Sequence, residues 1–299
     1  MMQFIYLAMT VMFSLSEQTF PLPSDVRKSA GFSLNSPLIH HMRGEHSKVS
    51  IYGYINASTA KELERIIGSD PRVNEILIDT PGGEIASSIK IANLLKKHNL
   101  TLTVDGRCLS SCANFLFMAA PKKRVLKNSL IGIHEFSFPL ETGRGTRWVT
   151  GNEAQKELGS VSNQGSLSEN NALRKTIEQF YVENNVNQSL FRAFNTYISN
   201  RKKSFLNEDI KSENSTKTCP SFDFWILHKK QLEEIGATGI EEFWYPKNSD
   251  EMKLAAIDNG FKNSDSLYIG NASGLSKVCT SDERTPLRRL RDFILGGSR

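Results

Sequence analysis

From Val49 onward the hydrophobic positions switch repeatedly between two periods. Val49-Ser50-Ile51-Tyr52-Gly53-Tyr54-Ile55 is rich in β-branched and aromatic residues and reads as a strand. After Asn56, apolar residues recur at Ala60, Leu63, Ile66 and Ile67, the spacing of a helix with one buried face. Thr59-Ala60-Lys61-Glu62 has the form of a capping box and Gly68 that of a stop. The pair repeats. Glu75-Ile76-Leu77-Ile78-Asp79 predicts a strand, Thr80-Pro81-Gly82-Gly83 a turn, and Ile85, Ile89, Ala92 and Leu95 one face of a helix. In a third round Leu100 to Val104 predicts a strand, Gly106 through Ser110 a turn, and Ser111 to Ala120 a short apolar helix. Arg124 to Phe136 reads as two further strands around Asn128-Ser129. Such alternation predicts right-handed β-α-β crossovers, hence an α/β fold with a largely parallel sheet.

The flanks are less regular. Residues 17–47 read as a linker with one short strand, in which His40, His41 and His46 lack the carboxylates or thiols of a metal site and are expected at the surface. Residues 141–170 are rich in Gly, Ser, Thr and Asn, which predicts a lid or substrate-facing loop. Two amphipathic helices follow, one through Ala172, Leu173, Ile177, Phe180 and Tyr181, the other through Leu190, Phe191, Phe194 and Tyr197. Lys229 to Ile235 predicts a short helix ended by Gly236. Beyond Tyr245 the pattern weakens, so the division expected is a segment 1–16, the linker, a domain over 48–245 and a peripheral extension over 246–299.

Segment 1–16 carries a dozen nearly unbroken apolar residues from Phe4 to Leu15, with small residues at Ser14 and Ser16 where a signal peptidase reads. The run is shorter than the ~20 residues that cross a bilayer. It predicts a cleaved export signal, and a periplasmic destination, although the only positive charge ahead of it is the α-amino group. The whole chain has 299 residues and a net charge of +5, too mild and too evenly spread for a nucleic-acid footprint. Four cysteines, Cys108, Cys112, Cys219 and Cys279, allow three pairings. Cys108 and Cys112 have no second Cys or His pair at ligand spacing, which argues against zinc and leaves buried thiols as the plain reading. No metal or organic cofactor is implied.

Chemistry concentrates in the turns that follow the strands, where a parallel layer presents its ligand-facing loops. Gly82-Gly83 permits close backbone approach and opens a helix with free N–H groups, the geometry that stabilises an oxyanion. Ser111 stands where an apolar helix begins, with the Cys112 N–H beside it and Ser110 as competitor. His134 ends the strand Leu130-Ile131-Gly132-Ile133, placed to serve as a general base. Each has a plainer reading: a turn, an N-cap, a core histidine.

Together these residues resemble the ClpP and crotonase-like superfamily, and within it the exported ClpP-like serine peptidases without their own ATPase. The resemblance runs from about Val49 to Ile240. Asp79-Thr80-Pro81-Gly82-Gly83 is similar to the family's oxyanion turn, Cys108-Leu109-Ser110-Ser111-Cys112-Ala113 to its nucleophile turn, and Ile131-Gly132-Ile133-His134-Glu135 to its histidine strand. It implies a spiral of β-α units carrying C-terminal helices, with Ser111 as nucleophile, His134 as base, and the N–H groups of Gly83 and Cys112 as the oxyanion hole. Gly82, Glu84 and Ile85 would line a cleft that pairs with an extended peptide. The third triad member is assigned to Asp223. Counted back from Gly236, the family spacing falls one residue on, at Phe224, and Asp209 and Glu183 are alternatives. A Ser and Lys dyad, as in related signal-peptide peptidases, would need Lys122 or Lys123, which follow an Ala-Pro break and are expected in solvent.

The implied function is ATP-independent cleavage of peptide bonds through an acyl-enzyme, on a peptide or protein substrate, by a homo-oligomer with no ATPase partner. Two alternatives stay open: a ClpP-like protein that only binds peptides, and a crotonase-type acyl-CoA enzyme, which needs no Ser–His pair and would call for basic residues near the Gly-Gly turn.

Overall fold

The computed structural model describes residues 37–134, 137–142, 145–150, 164–197, 220 and 222–277. Segment 1–16, most of the linker, Cys219, Cys279 and Asp209 lie outside them. The chain opens with β1 (Leu38–Met42), antiparallel to β2 (Ser47–Tyr52). Three β-α rounds follow: α1 (Ala57–Ser69), β3 (Val73–Thr80), α2 (Ile85–Lys97), β4 (Thr101–Leu109), and a π-helical turn Cys112–Leu116 that continues as α3 (Phe117–Ala119). Next come β5 (Lys122–Val125), β6 (Leu130–Ile133), a separate hairpin of β7 (Ser137–Thr142) and β8 (Gly145–Thr150), and α4 (Gln164–Glu183). The last described elements are β9 (Phe224–Ile226), α5 (Lys229–Glu234), β10 (Ile240–Phe243), α6 (Ser249–Asp258), β11 (Leu267–Ile269) and α7 (Ala272–Lys277).

The main sheet runs β1-β2-β3-β4-β6-β9-β11, with β5 beside β4 and β10 beside β5. Its strands are parallel except at β1–β2 and β6–β9, so the molecule is a mixed α/β protein with a mostly parallel sheet. Strand β4 divides its partners: Thr101–Val104 pairs with β5, and Arg107–Leu109 with β6. β5 and β6 thus follow one another along the same edge of β4.

The helices bury the faces their spacing predicts. Leu63, Ile66 and Ile67 of α1 and Ile89, Ala92 and Leu95 of α2 pack on Val49, Ile51, Ile76, Ile78, Leu102 and Val104 of the sheet. The cap of α1 differs from expectation. Asn56 is its N-cap, accepting from the Thr59 N–H at 3.1 Å while Thr59 Oγ1 accepts from the Asn56 N–H at 3.2 Å, so the helix begins one turn before the Thr59-to-Glu62 box. A short carboxamide followed three residues later by a hydroxyl satisfies the same two orphan donors.

Three further expectations are corrected. Residues 246–277 are not peripheral: β11 extends the main sheet beside β9, and Met252, Ala255 and Ala256 of α6 join Leu109, Leu130, Ile226 and Leu267 in a second apolar cluster. Short strands and small apolar residues give little sequence periodicity even when fully buried. Lys123 is buried rather than solvated, its ammonium donating to the Ala120 and Thr238 carbonyls, and burial lowers its pKa to about 8. The stretch 141–170 is not one loop, since β7 and β8 take its start and α4 begins at Gln164.

Candidate active site

Three strand ends meet at the site. At the end of β3, the Thr80 hydroxyl accepts from the Gly82 N–H at 3.0 Å and fixes the turn. Gly82 has φ +100, and a Cβ there would lie 2.7 Å from the Leu109 carbonyl oxygen and from the Ser110 Cβ. Glycine is therefore what lets the two turns touch. On the other side Ile55 donates to Gly82 O at 2.9 Å and accepts from the Glu84 N–H at 2.8 Å. The pattern skips the Gly83 N–H, which by the alternation of an extended chain points away from Ile55, toward the end of β4. Glu84 is exposed and accepts from the Ser87 hydroxyl at 2.8 Å, while Ile85 is half-buried at the start of α2.

At the end of β4 the structure sets Ser110, not Ser111, beside His134. Ser110 has φ +55, the left-handed region that costs a residue other than glycine about 1–3 kcal/mol, and its Oγ lies 2.5 Å from His134 Nε2. Ser111 is 1% exposed, and its Oγ accepts from the Ser88 hydroxyl of α2 at 2.9 Å. The reason is backbone geometry: Ser110, not Ser111, takes the sharp bend between strand and helix, so its side chain is the one turned out at the apex. Ser111 is already helical, with φ −59 and ψ −26, and faces inward. The N–H that follows Ser110 in the chain is that of Ser111. Cys112, one residue further, is fully buried in a disulfide with Cys108 rather than a free thiol.

Strand β6 carries His134 to the same place. Leu109 pairs with Gly132, and the Ser110 N–H donates to Gly132 O at 2.9 Å, so the residue two places on, His134, arrives beside the Ser110 hydroxyl. A Cβ on Gly132 would come within 2.7 Å of Leu109 Cδ2, which keeps that crossing tight.

The structure does not bring Asp223 to His134. The antiparallel register sets Gly132 against Ile226 and Ile133 against Trp225, which brings Phe224 opposite His134. The Phe224 ring stands edge-on to the imidazole, centroids 5.1 Å apart and planes at 70°. Asp223 is exposed one residue before the strand, with its N–H on Ser266 O at 2.7 Å. A shift of one residue reverses the face a side chain occupies. Glu183 is exposed on α4 and accepts from Gln179 at 2.7 Å. Among the described residues, no carboxylate forms an ion pair with His134. Burial without a counter-charge pushes the His134 pKa down to about 4.

A buried pair that sequence reasoning passed over ties two of these turns together. Asp79, just ahead of the Gly-Gly turn, accepts from the Arg107 guanidinium at 2.7 Å and from the Arg107 N–H at 3.1 Å. The signal available was an Asp at the end of an apolar strand and an Arg in the next parallel strand. Among the described residues no group of three or more His, Cys, Asp or Glu is placed to hold a metal, and no helix is long and apolar enough to cross a membrane.

No family model matches the sequence, and no curated protein matches it. Among solved structures the fold is similar to a mutant ClpP1 from Listeria monocytogenes, at 17% identity over 68% of this chain and 93% of that one, with a TM-score of 0.37. It is also similar to methylmalonyl-CoA decarboxylase in complex with 2-nitronate-propionyl-CoA, at 9% identity over 32% of this chain and 48% of that one, with a TM-score of 0.26.

Proposed function

We propose that the chain is a serine hydrolase of the ClpP-like kind that cleaves peptide bonds with a Ser110–His134 dyad. The observation that carries this reading is the 2.5 Å contact between Ser110 Oγ, on a left-handed turn, and His134 Nε2. His134, neutral at physiological pH, takes the Ser110 proton as the oxygen adds to the carbonyl. The N–H groups of Gly83 and Ser111 hold the developing negative charge. The imidazolium returns its proton to the leaving amine, and water, activated by the same imidazole, releases the acyl group. A dyad with an oxyanion hole but no orienting carboxylate retains part of a full site's rate enhancement, so slow turnover is expected. Export to an oxidising compartment belongs to the same reading and is supported by the Cys108–Cys112 disulfide. Self-assembly without an ATPase is carried by the sequence resemblance alone.

The test is labelling by a fluorophosphonate, which needs no substrate, with the modified peptide mapped by mass. Label on Ser110 that survives Ser111→Ala and disappears in Ser110→Ala and His134→Ala is the expected result. Label on Ser111, or none on a folded protein, would sink the assignment.

A second reading has its own observation: Phe224 fills the place against His134 that a carboxylate would need. On it, the cleft binds exported peptides without cleaving them. A folded protein that takes no label yet co-purifies with peptide would favour that alternative.

A further inference from the structure

We propose that the Cys108–Cys112 disulfide is a positioning element of the Ser110–His134 couple, so that the reactivity of Ser110 depends on the oxidised state of this one bond. The inference rests on the hydrolase reading above.

The two cysteines bracket the nucleophile symmetrically, Cys108-Leu109-Ser110-Ser111-Cys112, and both are fully buried. Cys108 is held in the sheet from both sides, paired with Thr80 of β3 and with Ile131 of β6. Cys112 begins the π-helical turn, whose backbone bond runs from the Phe117 N–H to Cys112 O. The bond therefore ties the first residue of a helix to a fixed point in the sheet across a five-residue turn. Ser110 at its apex occupies a conformation that a free chain would leave. Such strain persists only where the surroundings over-determine it.

The other restraints on the turn are few. Ser110 donates its N–H to Gly132 O at 2.9 Å and accepts from the Asn114 N–H at 2.9 Å. Ser111 has its one hydroxyl contact with Ser88. Asn114 is buried with neither amide atom hydrogen-bonded, so its side chain adds no hold on the helix start. Without the bond, Ser110 can relax toward negative φ, and that relaxation swings its hydroxyl away from His134 and turns the Ser111 N–H out of line with Gly83. The fold need not change, since Cys108 stays in its strand. Reduction is balanced by a dithiol: the bond takes up two electrons and two protons to give two thiols, and the dithiol leaves as its own disulfide.

The experiment compares oxidised wild type, wild type reduced with dithiothreitol, the same sample reoxidised, and the Cys108→Ser/Cys112→Ser double variant. Free thiols are counted by mass, folding is followed by circular dichroism, Ser110 labelling by fluorophosphonate rate, and the His134 ring nitrogens by NMR. The expected result is a labelling rate down about tenfold to a hundredfold in the reduced and variant proteins with the far-UV spectrum unchanged, restored on reoxidation. The His134 signals are expected to shift as the Ser110 contact is lost. Free thiols at both positions in the untreated protein would overturn the proposal, as would equal labelling after verified reduction. Should oxidised wild type take no label, the hydrolase reading fails by itself. The histidine signals then decide the role of the disulfide: unchanged on reduction, they overturn it. If the double variant does not fold, the reduced and reoxidised wild type carries the comparison.

Discussion

The pairing of His134 with Phe224 rather than with a carboxylate has a measurable cost. With a pKa pushed down to about 4, His134 is neutral at pH 7 but a weak base. A base near 7 would differ from it by about 3 units, or about 4 kcal/mol of proton affinity. If half of that is felt in the transition state, the dyad is slower by roughly 30-fold. Phe224→Asp places a carboxylate directly across the β6–β9 ladder from the imidazole, where an opposite charge raises a histidine pKa by about 1–3 units. Phe224→Asn is the neutral control. Both lose the ring's packing against Phe261 and the second apolar cluster, at a cost of about 3 kcal/mol, so their comparison isolates charge. The assay is the second-order rate of fluorophosphonate labelling from pH 3.5 to 9. Wild type and Phe224→Asn should lose activity only as pH falls to about 4. Phe224→Asp should lose it near pH ~6 but label about tenfold faster at neutral pH. A wild-type acid limb at 6.5 to 7 would refute the account of His134, and identical profiles for the Asp and Asn variants would refute the placement of Phe224 across from it.

Three other outcomes follow from the same geometry. Because the folded His134 pKa is depressed from an unfolded value near 6.5, the unfolded chain binds the extra proton between about 6.5 and 4. Stability should therefore fall as pH drops through that window by about 2–3 kcal/mol, allowing for the ring's partial exposure, and His134→Gln should flatten this part of a urea-unfolding pH series. Asp79→Ala removes the carboxylate from the buried Arg107 guanidinium and should cost about 3 kcal/mol by chemical denaturation, against under 1 kcal/mol for Glu62→Ala at the exposed Arg65 pair. Gly82→Ala puts a methyl group against Leu109 O and Ser110 Cβ at a φ of +100, so it should abolish Ser110 labelling and cost about 2 kcal/mol or more. Unimpaired labelling would show that the two turns are not in contact.

The alternation of strand and helix was legible from Val49 to Ala120 because each element is long enough to show its period, and the bulk of the sheet and its parallel sense followed from it. The serine that stands beside His134 was legible only to within one residue. Ser110 and Ser111 are chemically identical, and a serine before an apolar run looks like a helix start in either register; what separates them is a left-handed φ, which leaves no mark in a non-glycine sequence. The Cys-x-x-x-Cys frame did carry a signal, since a bond between its ends puts the middle residue at the apex. The position facing His134 was legible to the same precision, since the spacing counted back from Gly236 falls on Phe224 while the nearest carboxylate is one residue earlier. Phe224 and Asp223 differ by one position, and which of them meets His134 is set by the register between two short antiparallel strands, a tertiary quantity. The end of the chain failed differently: β11 has three residues and α6 buries two alanines and a methionine, too little periodicity to announce a sheet edge.

These pieces bear unequally on function. The Gly82–Gly83 turn and the His134 strand are held by backbone bonds between neighbouring strands and by the buried Asp79–Arg107 pair. The Ser110 bend is held by its bonds to Gly132 and Asn114 together with the disulfide, so the placement of the hydroxyl beside the imidazole is built into the sheet and that one covalent bond. The proton affinity of the base is not. It is set by burial of the imidazole, with Phe224 facing it across the antiparallel step from β6 to β9. A site built this way keeps its shape whether or not it turns over, since replacing Phe224 by a carboxylate alters the base without altering the strand ladder. The choice between slow hydrolase and peptide-binding cleft therefore lies at His134 rather than at Ser110. The acid limb of Ser110 labelling is the quantity that separates them, because a binding cleft has no titrating nucleophile to report.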